Sequence, residues 1–232
     1  MADRDLQPAY VLHSRRFRES SLVVELLTPQ HGRCAVLAKG AMAPRKSRQG
    51  SLQPFTPLLL AWKGRGELPL LTHCEPASPG PVLRGRALYC GIYVNELIQR
   101  LCERNDPHSK LFPAYVACIN ALATAAPDNQ GLEPVLRHFE LALLEDLGLG
   151  MQLQQDQEGN PIDPEQRYHY LADTGPVPTE DTAGSYSGST LLFLALGHPG
   201  TPTQRAEARR LMRGMLNIHL GGRPLRSREL FQ

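Results

Sequence analysis

At 232 residues, 41% of them hydrophobic, the chain can bury one large core or two smaller ones, and two is the expected division. The polar start Met1-Ala2-Asp3-Arg4-Asp5 leads into no apolar stretch long enough for a signal peptide or a membrane span, which argues against those classes and sets the expectation of a cytoplasmic protein. The net charge of +2 hides an asymmetry: residues 1–66 carry eleven Lys and Arg against four Asp and Glu, residues 128–181 two against twelve, and residues 205–232 seven against two.

Along the first third the pattern is that of short strands. Tyr10-Val11-Leu12, Leu22-Val23-Val24-Glu25-Leu26-Leu27 and Cys34-Ala35-Val36-Leu37-Ala38 are β-rich runs broken by turn residues such as Pro29 and Gly32. Leu58-Leu59-Leu60-Ala61-Trp62 and Leu68-Pro69-Leu70-Leu71 add two more, joined across Lys63-Gly64-Arg65-Gly66, a hairpin signal. Five short strands in so few residues predict a small closed barrel of the OB-fold kind, a fold that commonly takes single strands along a basic groove. Three prolines within residues 76–81 oppose helix and mark the boundary, giving a barrel domain over 1–78 and a helical domain over 79–232.

Beyond that boundary the period changes. Tyr89, Ile92, Tyr93, Leu97 and Leu101 recur at three and four residues, as do Leu111, Tyr115, Ile119 and Leu122 after a candidate cap at Ser109. A third helix is predicted to open at Glu133-Pro134, carry Leu136, Phe139, Leu143 and Leu147, and stop at Gly148, so that the three could form one bundle. Residues 149–188 are polar, acidic and punctuated by Gly and Pro, with Tyr168-His169-Tyr170 as their dense aromatic cluster, and read as a long surface excursion. Two more helices follow, a short apolar one over 191–196 and a longer one from about Thr203 to Leu220, with Leu211, Met215 and Ile218 turned to the core.

Catalytic signatures are missing: the chain has no Gly-x-Ser-x-Gly elbow, phosphate loop, dinucleotide fingerprint or His-Glu-x-x-His. Asp156, Glu158, Asp163 and Glu165 could be imagined as the carboxylates of a metal-dependent nuclease, but Gly159 and Pro161 lie between them and a solvated acidic loop accounts for them as well. The five cysteines are odd in number and scattered, without metal-ligand spacing, and read as reduced small hydrophobes.

The cations are more pointed. Clustered Lys and Arg gain affinity for a polyanion by releasing the counterions condensed on its phosphates, so basic ends suggest a nucleic-acid partner, and a solvated basic face is the other reading. Lys39-Gly40 ends a strand, and residues 43–50 follow with Arg45, Lys46 and Arg48 and no anion, a loop able to wrap a phosphate backbone at a barrel mouth. Arg205, Arg209 and Arg213 fall four residues apart on one helical face, continued by Arg223, Arg226 and Arg228, with Glu207 and Glu229 as the nearby anions.

Some of these segments also carry a resemblance. Tyr10-Val11-Leu12 with Glu19-x-Ser21, Gly32-Arg33, Ala38-Lys39-Gly40-Ala41 and Leu52-Gln53-Pro54-Phe55 resemble the barrel motifs of the RecO family. Tyr93-x-Asn95-Glu96-Leu97, Arg137-x-Phe139-Glu140 and Leu147-Gly148 are similar to its helical core, and residues 219–230 to its closing motif. The resemblance implies a non-enzymatic recombination mediator that binds single- and double-stranded DNA, anneals complementary strands, and works with RecR to help RecA onto strands coated by single-stranded-DNA-binding protein. It further implies that the acidic C-terminal tail of that coating protein docks on the helical domain, where Arg137 could grip its carboxylate and Leu141 line a hollow. Many members hold zinc through paired cysteines after the Leu-Gly motif; residues 149–188 contain no cysteine, so neither zinc nor another cofactor is expected. The expected fold class is therefore α+β, an N-terminal five-stranded OB-fold barrel followed by a mainly helical domain, with a nuclease using residues 149–188 or a pure interaction scaffold as the alternative functions.

Overall fold

The computed structural model describes residues 6–42, 52–64, 66–197 and 200–231. The alternating apolar runs become β1 (Gln7–Phe17), β2 (Ser21–Thr28), β3 (Gly32–Ala38), β4 (Leu58–Lys63) and β5 (Leu70–Pro76). They close into a barrel in the order β1-β2-β3-β5-β4, the five-stranded OB-fold arrangement expected from the sequence. Val11, Val24, Leu26, Val36 and Leu60, none with any exposed area, fill the interior, since period two sends alternate residues of every strand inward.

By its contacts the chain forms two compact units, Met1–Thr124 with Ser227–Gln232, and Ala125–Arg226. The first therefore holds the barrel together with α1 (Arg86–Leu101) and α2 (Leu111–Thr124), which pack on each other, while the third helix belongs to the second unit. Strand β1 carries a bulge: Val11 faces Leu26 and His13 faces Glu25, so Leu12 stands opposite no residue of β2. The bulge frees the Leu12 carbonyl from the ladder, and the Asn95 side-chain amide of α1 donates to it at 3.0 Å. The same Asn95 accepts the Tyr115 hydroxyl of α2 at 2.9 Å, and Tyr115 lies edge-on to Tyr10 of β1 with ring centroids 5.2 Å apart. A second tie holds the β2–β3 turn to the segment after α1. There the Arg33 guanidinium donates to the Cys102 carbonyl at 3.0 Å, the Asn105 amide donates to the Arg33 carbonyl at 2.7 Å, and Glu25 is paired with both Arg33 and Arg104.

In the second unit α3 (Asn129–Asp146) begins a turn before the expected opening at Glu133-Pro134. The Asp128 carboxylate caps it by accepting the Gly131 amide at 2.9 Å, a stronger start signal than the proline, which is carried inside the helix. The segment 149–188 is not the surface excursion expected. It contains β6 (Arg167–Leu171), β7 (Gly175–Thr179) and β8 (Tyr186–Ser187), a sheet in the order β7-β6-β8. Tyr168 of its central strand is 1% exposed, and its hydroxyl accepts the Asp163 amide at 2.9 Å.

Then come α4 (Gly188–Leu196), capped by Ser187, and α5 (Pro202–His219), where Thr201 and Gln204 form a reciprocal capping box. Glu207 of α5 joins the sheet to both helices by accepting hydrogen bonds from the Ser187 amide, the Ser187 and Thr190 hydroxyls and Arg167. Burial would raise its carboxyl, but these hydrogen bonds outweigh burial and pull it down to about 2. Two helical positions expected inside are exposed, Ile92 at 38% and Ile218 at 58%. On α1 the stripe of Cys90, Tyr93, Val94, Leu97 and Ile98 already fills the inner face, and on α5 Ala208, Leu211, Met212, Met215 and Leu216 do. A terminal 3-10 helix, Arg226–Phe231, closes the described chain.

Candidate nucleic-acid interface

Past the bulge, β1 runs out to one end of the barrel. Arg15 faces Val23, Arg16 faces Leu22 and Phe17 faces Ser21. Leu22 belongs to the barrel core, so Arg15 and Phe17, on the alternate positions, share the outer face. The strand turns through Arg18, whose φ is 56° and whose guanidinium lies 5.3 Å from the centroid of the Phe17 ring.

Beside this turn sits the turn that leaves β3 at Lys39, held there by the Met42 amide donating to the Ser20 carbonyl at 3.1 Å. Arg15, Arg16, Arg18 and Lys39 are all exposed, and Glu19 is the anion among them. Lys63 of β4 ends the register row that runs from Arg15 through Val23, Leu37 and Leu70. Of the expected phosphate-binding residues, Lys39 is thus placed at this end, while Arg45, Lys46 and Arg48 lie outside the described residues. Arg15, Arg16 and Arg18 are the residues that sequence reasoning passed over. Their signal was the run Arg15-Arg16-Phe17-Arg18, cations interleaved with an aromatic.

The stripe on α5 is present but less free than its spacing suggested. Arg209 pairs with Glu133 of α3 at 3.0 Å, and Arg205 donates to the Gly200 carbonyl. Glu207, expected to neutralise the stripe, faces the sheet and Arg167 instead. Arg213 and Arg223 are exposed, as is Arg226, whereas Arg228 is half-buried. Arg137 is held along its own helix by Glu140 at 2.8 Å, with Glu140 fully buried and the Arg137 side chain 13% exposed; Leu141 is half-buried.

Asp156 spends its carboxylate on the amides of Glu158 and Asn160, both at 2.9 Å, and Asp163 accepts the Glu165 amide at 2.9 Å. Among the described residues no three His, Cys, Asp or Glu side chains meet as metal ligands, and no helix is long and apolar enough to cross a membrane. All five cysteines are free, and burial pushes the Cys34 thiol up to about 11, which keeps it protonated.

The remaining motifs are structural. The ring of Phe55 lies against α1 where Gly91 leaves room, with ring carbons 2.9 Å from where a Cβ would stand. Glu96 accepts the Ser227 amide at 2.8 Å and its hydroxyl at 2.6 Å, fixing the terminal helix to α1.

Compared with known proteins, residues 1–79 match the family model described as recombination protein O N terminal, and residues 83–229 match recombination protein O C terminal. The chain is 48% identical over 228 residues to the DNA repair protein RecO of Methylococcus capsulatus, a match covering 98% of this chain and 93% of that protein. To the proteins of the same name from Halorhodospira halophila and Nitrosococcus oceani it is 45% and 46% identical, covering 97% and 98% of this chain and 96% and 92% of theirs.

Proposed function

Because the chain belongs to the RecO family of DNA repair and recombination proteins, we propose that it is a non-enzymatic mediator that binds single- and double-stranded DNA and anneals complementary strands. In this reading it works in the cytoplasm with RecR to help RecA onto strands coated by single-stranded-DNA-binding protein. The observation that carries the proposal is the cationic end of the barrel, where Arg15, Arg16, Arg18 and Lys39 stand exposed around Phe17. Annealing needs no bond chemistry. Two polyanions must be brought together, and a protein lowers their repulsion by replacing condensed counterions with fixed guanidinium and ammonium groups. The arginines of α5 and the terminal segment, Arg205, Arg209, Arg213, Arg223, Arg226 and Arg228, give a second set of cations for this task.

A salt titration of DNA binding, run beside an annealing assay, tests the proposal. Alanine at Arg15, Arg18 and Lys39 together is expected to reduce the slope of log affinity against log salt by about two for single strands, at ~0.7 per phosphate released. Alanine at Arg45, Lys46 and Arg48 is expected to act likewise, with little dependence on sequence. Slopes unchanged in both variants would leave these groups as a solvated surface.

Docking of the coating protein's C-terminal tail is the partner half of the proposal. Arg137 and Leu141, one turn apart on α3, would form the receptor; its support is that the Arg137 Nε has no hydrogen-bond partner among the described residues. Fluorescence binding of a tail peptide is expected to weaken on the order of tenfold in Arg137→Ala, the loss of one charged contact. Equal affinity for the wild type and the variant would place the receptor elsewhere.

A further inference from the structure

Phe17 is an aromatic residue outside the barrel core, at the cationic end of the barrel. Three of the other phenylalanines are buried, Phe139 at 1% exposed and Phe55 and Phe193 at 8%, while Phe112 meets the Tyr10 ring and the exposed Phe231 meets Tyr89. Phe17 lies outside the barrel core, at the last position of β1, opposite the small Ser21 and on the same face as Arg15. Its ring is half-buried, and the Arg18 guanidinium lies 5.3 Å from its centroid. Part of the ring is thus open to solvent among exposed cations, a combination that suits a partner with a flat π face and a negative backbone.

We propose that Phe17 is a base-stacking platform, and that it gives the cationic barrel end its preference for single strands over duplex. The inference rests on reading that end as a DNA-binding surface. In a single strand the base faces are free, and an aromatic side chain offers each of them an equivalent stacking surface without regard to sequence. In a duplex the same faces are stacked on one another, so only the phosphates remain for Arg15, Arg16, Arg18 and Lys39. Arg18 is placed to serve both states: its guanidinium can cover the ring when no base is present, and swing to a phosphate or sandwich the base when one arrives. Stacking moves no counterion, so it adds to affinity without adding to the salt dependence.

The full-length protein is titrated by fluorescence anisotropy with labelled oligothymidylate, a duplex of the same length, and an abasic oligonucleotide carrying the same number of phosphates. Phe17→Leu keeps an apolar side chain at the strand end, and Phe17→Trp keeps the ring. Phe17→Leu is expected to bind oligothymidylate on the order of tenfold more weakly, the scale of one lost base–aromatic stack. Its salt slope, its duplex affinity and its abasic affinity should match the wild type. Phe17→Trp should retain the preference for single strands, and because the chain has one natural tryptophan, Trp62, the new indole should give a fluorescence quenched by oligothymidylate but not by the abasic strand. Oligothymidylate affinity unchanged in Phe17→Leu, with an unquenched indole in Phe17→Trp, overturns the platform. Equal weakening on all three probes also overturns it, since Phe17 would then only hold the cations in place. A wild type that binds none of the probes removes the DNA-binding reading itself, and this inference with it.

Discussion

Asn95→Ala is expected to destabilise the barrel unit by about 3–5 kcal/mol, because it leaves two buried groups without partners at roughly 1–3 kcal/mol each and adds a small cavity. Asn95 is 4% exposed and spans three elements: its amide donates to the Leu12 carbonyl at the β1 bulge, and its carbonyl oxygen accepts the Tyr115 hydroxyl. A carboxylate cannot make the first of these bonds, so Asn95→Asp should be at least as damaging, with like-polarity oxygens facing each other inside the protein. Tyr115→Phe removes only the second bond and should cost about 1 kcal/mol. Urea unfolding provides the measurement, read as a shift in midpoint at constant slope. The double variant Asn95→Ala with Tyr115→Phe should cost less than the sum of the two, since the lost bond is shared. An Asn95→Ala cost under about 1 kcal/mol would mean that water replaces the amide at the bulge.

Gly32→Ala is expected to cost on the order of 3–5 kcal/mol through strain and lost contacts together. Gly32 has φ +56°, and a Cβ added there would stand 1.8 Å from the Asp106 carbonyl oxygen and 2.7 Å from its carbon. Both are backbone atoms, so no side chain can swing away. The β2–β3 turn must separate from the segment after α1, which breaks the bonds from Asn105 to Arg33 and from Arg33 to Cys102. Gly40 provides the control, with φ +65° but no atom within 4 Å of an added Cβ, so Gly40→Ala should cost only the backbone strain of about 1–2 kcal/mol. Equal costs at the two positions would show that strain alone decides, and that the two segments part at no cost.

Much of this architecture is legible from local pattern. The five strands follow from short β-rich runs broken by turn residues and the helices from periods of three and four, since each signal needs only the residue and its near neighbours. The proline-rich stretch of residues 76–81 lies between β5 and α1, near where the family matches divide, between residues 79 and 83, whereas the compact units divide after Thr124. The charge asymmetry was visible for the same reason, because like charges cluster along the chain as well as in space. Composition misled over residues 149–188. An acidic, Gly- and Pro-rich segment reads as a loop, yet the buried Tyr168, with Leu153 and Ile162 and the hydrogen bonds of Glu207 to Arg167 and Ser187, seats a three-stranded sheet.

Which cations are available to a phosphate was another matter. Arg209 and Arg205 share a helical face with Arg213, but one is paired with Glu133, 76 residues earlier, and another with a neighbouring carbonyl. Arg15, Phe17, Arg18 and Lys39 gather at one barrel end only because β2 and β3 carry the β1–β2 turn and the turn after β3 to the same edge.

The sequence by itself determined the class and order of the elements outside residues 149–188, and the excess of positive charge at both ends, because these depend on residues close along the chain. Tertiary structure alone decided the sheet within residues 149–188, the bulge at Leu12 and the company of each arginine. Those depend on partners brought together by folding: the bulge is completed by Asn95, 83 residues further on, and no local period can encode a hydrogen bond across that distance.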